Sequence, residues 1–310
     1  MTHPFHQPVV ATLMNQMLLL ENMGRFEEAI KTTRAAFLLS ENILFLNETA
    51  SLMIMLGDRA GAVSLTRDQK HPCSVKIHAV AAALLAGQSK VTVGGLTFQI
   101  TGRNWELEGE WLAGKPYEPE ETELIASFMA NGRDFIDVGA NAGCHTMAIA
   151  KRFPQSTVFP VEPEPTMART LAANAELNGL TNIDFRGVGK ACTPLGEPAS
   201  LQFRSSASST RETKYGGFPV PGVSLRELLS EKTAVVKLDA EGAEVNIIRS
   251  CEKELADLGV VVVAEDLLGE GARGVCEDGA LGKYLPEVDA GVLCSIPMHA
   301  GRNVAFRLKK

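Results

Sequence analysis

A chain of 310 residues, 45% hydrophobic and 22% charged, has ordinary globular composition and enough length for a large core plus a smaller unit. The formal charge of −7 comes without a long basic run, since Lys151-Arg152 and Lys309-Lys310 stand isolated, so nucleic acid is not an expected partner. The start at Met1 lacks a secretory pattern, no apolar run approaches the roughly 18 residues of a membrane span, and the cysteines are scattered without Cys-x-x-Cys spacing; these features predict a cytoplasmic chain with reduced thiols, no membrane span and no metal site.

Residues 1–70 read as helical, with apolar positions recurring at three and four through Val10 to Leu20, Ala29 to Leu39 and Thr49 to Leu56. Gly24-x-Phe26-x-x-Ala29 returns as Gly57-x-Arg59-x-x-Ala62, an offset of 33 residues, close to the roughly 34-residue tetratricopeptide period. The glycines are expected at turns between antiparallel helices, with the alanines allowing close approach. The competing reading is an irregular helical cap, and either one offers a surface for a protein partner.

Residues 71–132 form a bridge. Lys90–Val93, Gly94-Gly95 and Leu96–Thr101 predict a hairpin, and Glu120 to Met129 predicts a helix entered through Pro119. From 133 to 310 the pattern becomes strand, helix, strand, helix. Strands are expected at Phe135–Val138, Val158–Val161, Ile183–Val188, Val235–Asp239 and Val260–Ala264, with helices starting near Ala142, Pro165 and Ala243. Short buried strands alternating with helices imply an α/β, Rossmann-like doubly wound sheet. Val292–Ile296 and Val304–Leu308 are expected to close it as an antiparallel pair. Residues 189–233 exceed a simple loop and are a candidate region for substrate contacts.

Asp137-Val-Gly139-Ala-Asn141-Ala-Gly143 lies where the first strand turns into a helix, where glycines admit a ligand against bare backbone and free amides point outward. Glu162 ends the second strand, where a carboxylate accepts hydrogen bonds from two ribose hydroxyls. Packing alone would explain the glycines, and helix-end charge would explain Glu162. A nicotinamide fingerprint requires glycine at 141 and 144, and the chain has Asn141 and Cys144. An adenosyl cofactor with an amino-acid tail needs no pyrophosphate contact and uses Asp137 for the tail amine.

The second cluster is Lys237-Leu-Asp239-Ala-Glu241-Gly-Ala-Glu244, at the end of the fourth strand beside the ligand crevice. Methyl transfer to oxygen needs an aligned acceptor and a group to take the hydroxyl proton, which makes Asp239 and Glu241 the candidate catalytic acids. The bland alternative is that they order the loop and cap the helix, with Lys237 paired to Asp239 on the same strand face. His145 and His299 are weaker candidates, and Glu265 with Arg302-Asn303 are candidate pocket-lining residues.

With these residues in hand, the chain resembles the FkbM-type methyltransferase family over roughly Tyr117 to Leu308. The resemblance rests on Asp137 to Gly143, Val161-Glu162-Pro163, Leu177-Asn178-Gly179, Ser205 to Ser209 and Lys237 to Glu244, the last being the most specific. It implies a class I methyltransferase sheet, S-adenosylmethionine held by Asp137, Gly139, Asn141, Gly143, Glu162 and Pro163, and O-methylation of a small-molecule, sugar, glycan or natural-product hydroxyl. Cys144-His145 and Gly189-Lys190 depart from the family's usual residues, and the N-terminal helices lie outside the resemblance. The alternative from another class is a non-catalytic adaptor that binds a protein through those helices.

Overall fold

The computed structural model describes residues 6–204, 209–212, 218–240, 242–267, 285, 287, 290–297 and 301–309. The chain divides into two compact units, Met1–Tyr117 with Ser200–Phe218, and Glu118–Ala199 with Pro219–Lys310.

In the first unit, helices α1 (His6–Asn22), α2 (Phe26–Ser40), α3 (Ile43–Met55), α4 (Arg59–Thr66) and α5 (Pro72–Leu85) each pack on the next. Gly24 and Gly57 sit at the α1–α2 and α3–α4 turns with positive φ, while Ala29 and Ala62 are fully buried. Asn42 and Asp58 cap α3 and α4 by accepting from the Leu44 and Gly61 amides. Further elements of this unit are a two-stranded hairpin, Lys90–Val93 with Leu96–Gln99, helix α6 (Trp105–Leu112), and an antiparallel strand pair within the 199–212 segment, Leu201 to Arg204 facing Ser209 to Glu212. Glu108 of α6 is buried and accepts from the Thr101 amide (2.9 Å), the Thr101 hydroxyl (2.7 Å) and the Gly102 amide (2.8 Å). It thereby ties the hairpin's exit to the helix.

The second unit opens with α7 (Pro119–Phe128) and is built on seven strands: β1 (Asp134–Val138), β2 (Val158–Glu162), β3 (Gly187–Val188), β4 (Thr233–Leu238), β5 (Val261–Leu267), β6 (Gly291–Pro297) and β7 (Gly301–Arg307). Their order is β6-β7-β5-β4-β1-β2-β3. β1 to β5 run parallel, and β7 is antiparallel to both β5 and β6, so the last two strands do form the expected antiparallel pair. The helices are α8 (Cys144–Arg152), α9 (Pro165–Leu177), α10 (Leu225–Leu228), α11 (Glu244–Ser250) and α12 (Glu252–Leu258).

Strand alternation sorts the core into two layers. Ile136, Val236, Val262, Val304 and Phe306 pack with Leu225, Leu228, Ile247, Ile248 and Leu255 of α10 to α12. Phe135, Asp137, Val235, Lys237, Val263 and Ala305 point to the other face and are all 2% exposed or less. Both faces are therefore covered, as a parallel sheet requires.

The third strand is shorter than the sequence pattern predicts. Ile183 makes one isolated bridge to Val158, and pairing in the sheet resumes only at Gly187. Between them the Asp184 carboxylate accepts from the Arg186 amide at 3.0 Å and from its guanidinium, a local turn that competes with the ladder. Residues 189–233 include two short strands, Ala191–Cys192 and Gly222–Val223, paired in parallel.

Candidate active site

The turn after β1 is built by backbone geometry that side chains would not tolerate. Gly139 has φ +76, and a Cβ there would fall 1.8 Å from the Asp239 carbonyl oxygen. Gly143 has φ +88, and a Cβ would meet Met147 and Leu171 at 2.8 and 3.1 Å. Asn141, at φ +51, occupies the left-handed region where asparagine is among the tolerated residues, and its side chain accepts from the Ala142 amide at 2.8 Å. Asn174 of α9, fully buried, donates to the Ala142 carbonyl at 2.9 Å and supports the turn from behind.

Asp137 is fully buried on β1. Thr146 of α8 donates its hydroxyl to Asp137 Oδ2 at 2.5 Å, while Oδ1 has no hydrogen-bond partner and lies 4.0 Å from Lys237 Nζ. A buried carboxylate oxygen without a donor is costly unless a ligand supplies one. Glu162, at the end of β2, is held at both oxygens: Oε1 accepts from the Glu164 amide and Oε2 from the Asn141 amide, each at 2.7 Å. Burial pushes its carboxyl up to about 7, against the opposing pull of those two amides. Pro163 is half-buried between Glu162 and Glu164, and Glu164 caps α9 through the Met167 amide.

At the end of β4, Lys237 Nζ lies 3.4 Å from Asp239 Oδ2, the expected same-face pairing. Burial works to lower the Lys237 ammonium, but Asp239, Glu121 and Asp137 hold it well above the ordinary lysine value. Asp239 is the open member, its side chain 39% exposed. Glu241 lies outside the described residues, as do His299 and 205–208 of the serine segment. Glu244 is buried and accepts from the Ala240 amide at 2.7 Å and the Gly242 amide at 3.1 Å, so it shapes the 239–243 loop.

Behind these residues stands His145, one of the weaker candidates of the sequence, with partners on α7 that carry no motif. His145 of α8 is buried; its Nδ1 meets the Thr122 hydroxyl at 2.8 Å, and its Nε2 lies 2.9 Å from Glu121 and 3.6 Å from Glu118. Burial disfavours the imidazolium, but Glu121 outweighs it and brings His145 up to about 9. Burial likewise opposes the Glu121 carboxylate, and His145 and Lys237 bring it down to about 2. The ligand atoms of Glu118, Glu121 and His145 lie within 4.8 Å of one another, close enough in principle to share a cation. The ion pair already satisfies the ring.

An unpartnered Asp137 oxygen, a glycine turn without room for Cβ atoms and a Glu162 fixed by two amides, all on a sheet of this order, define a class I, S-adenosylmethionine-dependent methyltransferase fold. Residues 137–273 match the model of the methyltransferase FkbM domain. Among curated proteins, the chain is 25% identical over 156 residues to Methyltransferase 1 of Beauveria bassiana (strain ARSEF 2860), covering 42% of this chain and 63% of that one. It is 23% identical over 175 residues to Methyltransferase sdnD of Sordaria araneosa, covering 44% and 68%. Among solved structures it is similar to M. jannaschii TYW2 in complex with AdoMet, at 16% identity and a TM-score of 0.40, covering 71% of this chain and 85% of that chain.

Proposed function

We propose that the chain is an O-methyltransferase that moves a methyl group from S-adenosylmethionine to a hydroxyl of a sugar, glycan or natural product. When bound, the cofactor supplies an electrophilic methyl group on a sulfonium. The observation that carries the reading is the Asp137 carboxylate, buried with one oxygen unpartnered at the mouth of the glycine turn. That oxygen suits the ammonium of the methionine tail, and the turn through Gly139, Asn141 and Gly143 that follows it is fixed by its own hydrogen bonds, the three amides donating to the Val161 carbonyl, the Glu162 carboxylate and the Ala140 carbonyl. Glu162, already oriented by two amides, keeps further lone pairs for the ribose hydroxyls, and Pro163 flanks it.

Asp239 is the group on the acceptor side. Its exposure gives it access to an incoming hydroxyl, and Lys237 Nζ pairs with it at 3.4 Å. A carboxylate so held is a weak base toward a free alcohol. It suffices for a hydroxyl that becomes strongly acidic as the carbon–oxygen bond forms, so proton transfer to Asp239 accompanies methyl transfer. Glu241, two residues on, is the second candidate for this role.

Titration calorimetry tests the donor half. Wild-type protein binds S-adenosylmethionine, and Glu162→Ala weakens binding about 100-fold through loss of two hydrogen bonds to a charged group. Unchanged affinity refutes the assignment. For the acceptor half, labelled S-adenosylmethionine is incubated with cell extract fractionated into glycans, lipids and small metabolites. Label entering a hydroxyl compound supports O-methylation, and label confined to protein or nucleic acid overturns it.

A further inference from the structure

Thr146, Asp137, Lys237 and Asp239 form a chain of contacts in which Asp137 is fixed and Lys237 is shared. The fixing is done by Thr146. Inside the described helices Thr32, Thr49, Thr66, Thr122 and Thr170 each donate a hydroxyl to the carbonyl four residues back, a common outlet for a helical threonine. For Thr146 that carbonyl belongs to Ala142, and it accepts from the Asn174 side chain at 2.9 Å. The Thr146 hydroxyl turns instead to Asp137 Oδ2 at 2.5 Å, and both residues are fully buried. Anchored at one oxygen and enclosed, the carboxylate has no second position to adopt.

Lys237 is placed differently. Its ammonium lies 3.4 Å from Asp239 Oδ2 and 4.0 Å from Asp137 Oδ1, the oxygen without a hydrogen bond. Burial works against that charge, and among the groups that hold it Asp239 ranks ahead of Glu121, Asp137 and Glu118. The side chain is a long flexible stem, and Asp239, 39% exposed, is an anchorage on the open side of the site. Asp137 Oδ1 is buried, so an incoming amine reaches it only as a neighbour moves aside. Two ammonium groups held beside one buried carboxylate repel each other. Asp137 is pinned and Lys237 has a second partner, so the lysine is the group that yields.

We infer that Lys237 is a positioning residue coupling the two halves of the site: it withdraws from Asp137 as the donor's amine arrives and closes on Asp239. Donor occupancy thereby sets the contact made by the acceptor-side acid. The inference rests on the reading of Asp137 as the partner of the donor's amine, and it adds that the amine, rather than the adenosine, carries the signal. Coupling between sites is reciprocal. Removing the anchorage at Asp239 therefore returns Lys237 to Asp137 and penalises the amine.

The test uses the full chain and two probes, S-adenosylhomocysteine and its deaminated analogue, in which hydrogen replaces the α-amine. By calorimetry the wild-type protein prefers S-adenosylhomocysteine by about ten-fold or more. Asp239→Asn, an isosteric change at an exposed side chain, weakens S-adenosylhomocysteine about ten-fold and leaves the analogue within about two-fold, so the preference for the amine collapses. In wild-type protein with isotope-labelled lysine, the NMR signal of the Lys237 ε-methylene, assigned by its loss in Lys237→Arg, shifts with S-adenosylhomocysteine and stays in place with the analogue. Equal weakening of both compounds by Asp239→Asn, weakening of neither, or a Lys237 signal that S-adenosylhomocysteine leaves unmoved overturns the inference. The last outcome also covers a direct contact between Asp239 and the amine. Wild-type protein that binds both compounds equally refutes Asp137 as the amine's partner and the inference with it, and a chain that binds neither refutes the proposed function itself.

Discussion

Gly139 and Asp239 sit against each other so closely that a Cβ on the glycine would fall 1.8 Å from the aspartate's carbonyl oxygen. The turn after β1 and the loop after β4 are thus packed backbone to backbone. Gly139→Ala must push them apart while also forcing a side chain into φ +76. We expect a loss of about 3 kcal/mol or more in stability and a parallel loss of donor binding. Thermal unfolding and calorimetry on the same variant check both, and an unshifted melting temperature contradicts the packing argument.

Glu162 predicts how donor binding depends on pH. Its folded-state value is raised to about 7, so its contribution to stability is complete below the ordinary glutamate value, near 4.5, and is lost as pH rises through about 7. Ribose hydroxyls, by contrast, favour the ionised carboxylate. Affinity for S-adenosylmethionine should therefore increase from pH 6 to pH 8, and Glu162→Gln should flatten that dependence. Calorimetry at several pH values measures it.

The Glu121–His145 pair has its own window. His145 is raised to about 9, so its share of stability is present below the ordinary histidine value and lost as pH rises through about 9. Glu121 is lowered to about 2, so its share is present above the ordinary glutamate value and lost as pH falls through about 2. Glu121→Gln should cost about 3 kcal/mol between roughly pH 5 and 6.5, because it leaves a buried imidazolium with only the longer, 3.6 Å contact to Glu118. NMR titration of the His145 ring should show its midpoint falling in the variant, and the stability penalty should shrink toward pH 10.

In the first unit, Glu108→Ala would leave the Thr101 and Gly102 amides and the Thr101 hydroxyl without their buried acceptor. The expected cost is about 3 kcal/mol. Hydrogen exchange at the Thr101 and Gly102 amides should accelerate in the variant, and unchanged protection there would count against the assigned role of the carboxylate.

Local chemistry made the turn after β1, Glu162 and the Lys237–Asp239 pair legible in the sequence. Positive φ favours glycine or asparagine, and a two-residue period puts alternate strand residues on one face. The doubly wound sheet with its antiparallel closing pair was equally accessible, because buried strands alternating with helices admit few topologies. Long-range contacts were not. Asn174 reaches Ala142 across 32 residues, and Glu121 reaches His145 from a helix that carries no motif of its own. The third strand reads as six residues because apolar pattern outweighs a single Asp184 whose side chain bends the chain.

The Glu118–Glu121 entry to α7 precedes the matched domain, residues 137–273, yet supplies the counter-charge for His145 and takes part in that of Lys237. A fragment trimmed to the recognisable signature would begin with two buried cations stripped of an anion they share. Its failure to fold or bind would say nothing about the chemistry of the intact chain. Any minimal version of this chain has to begin upstream of residue 118.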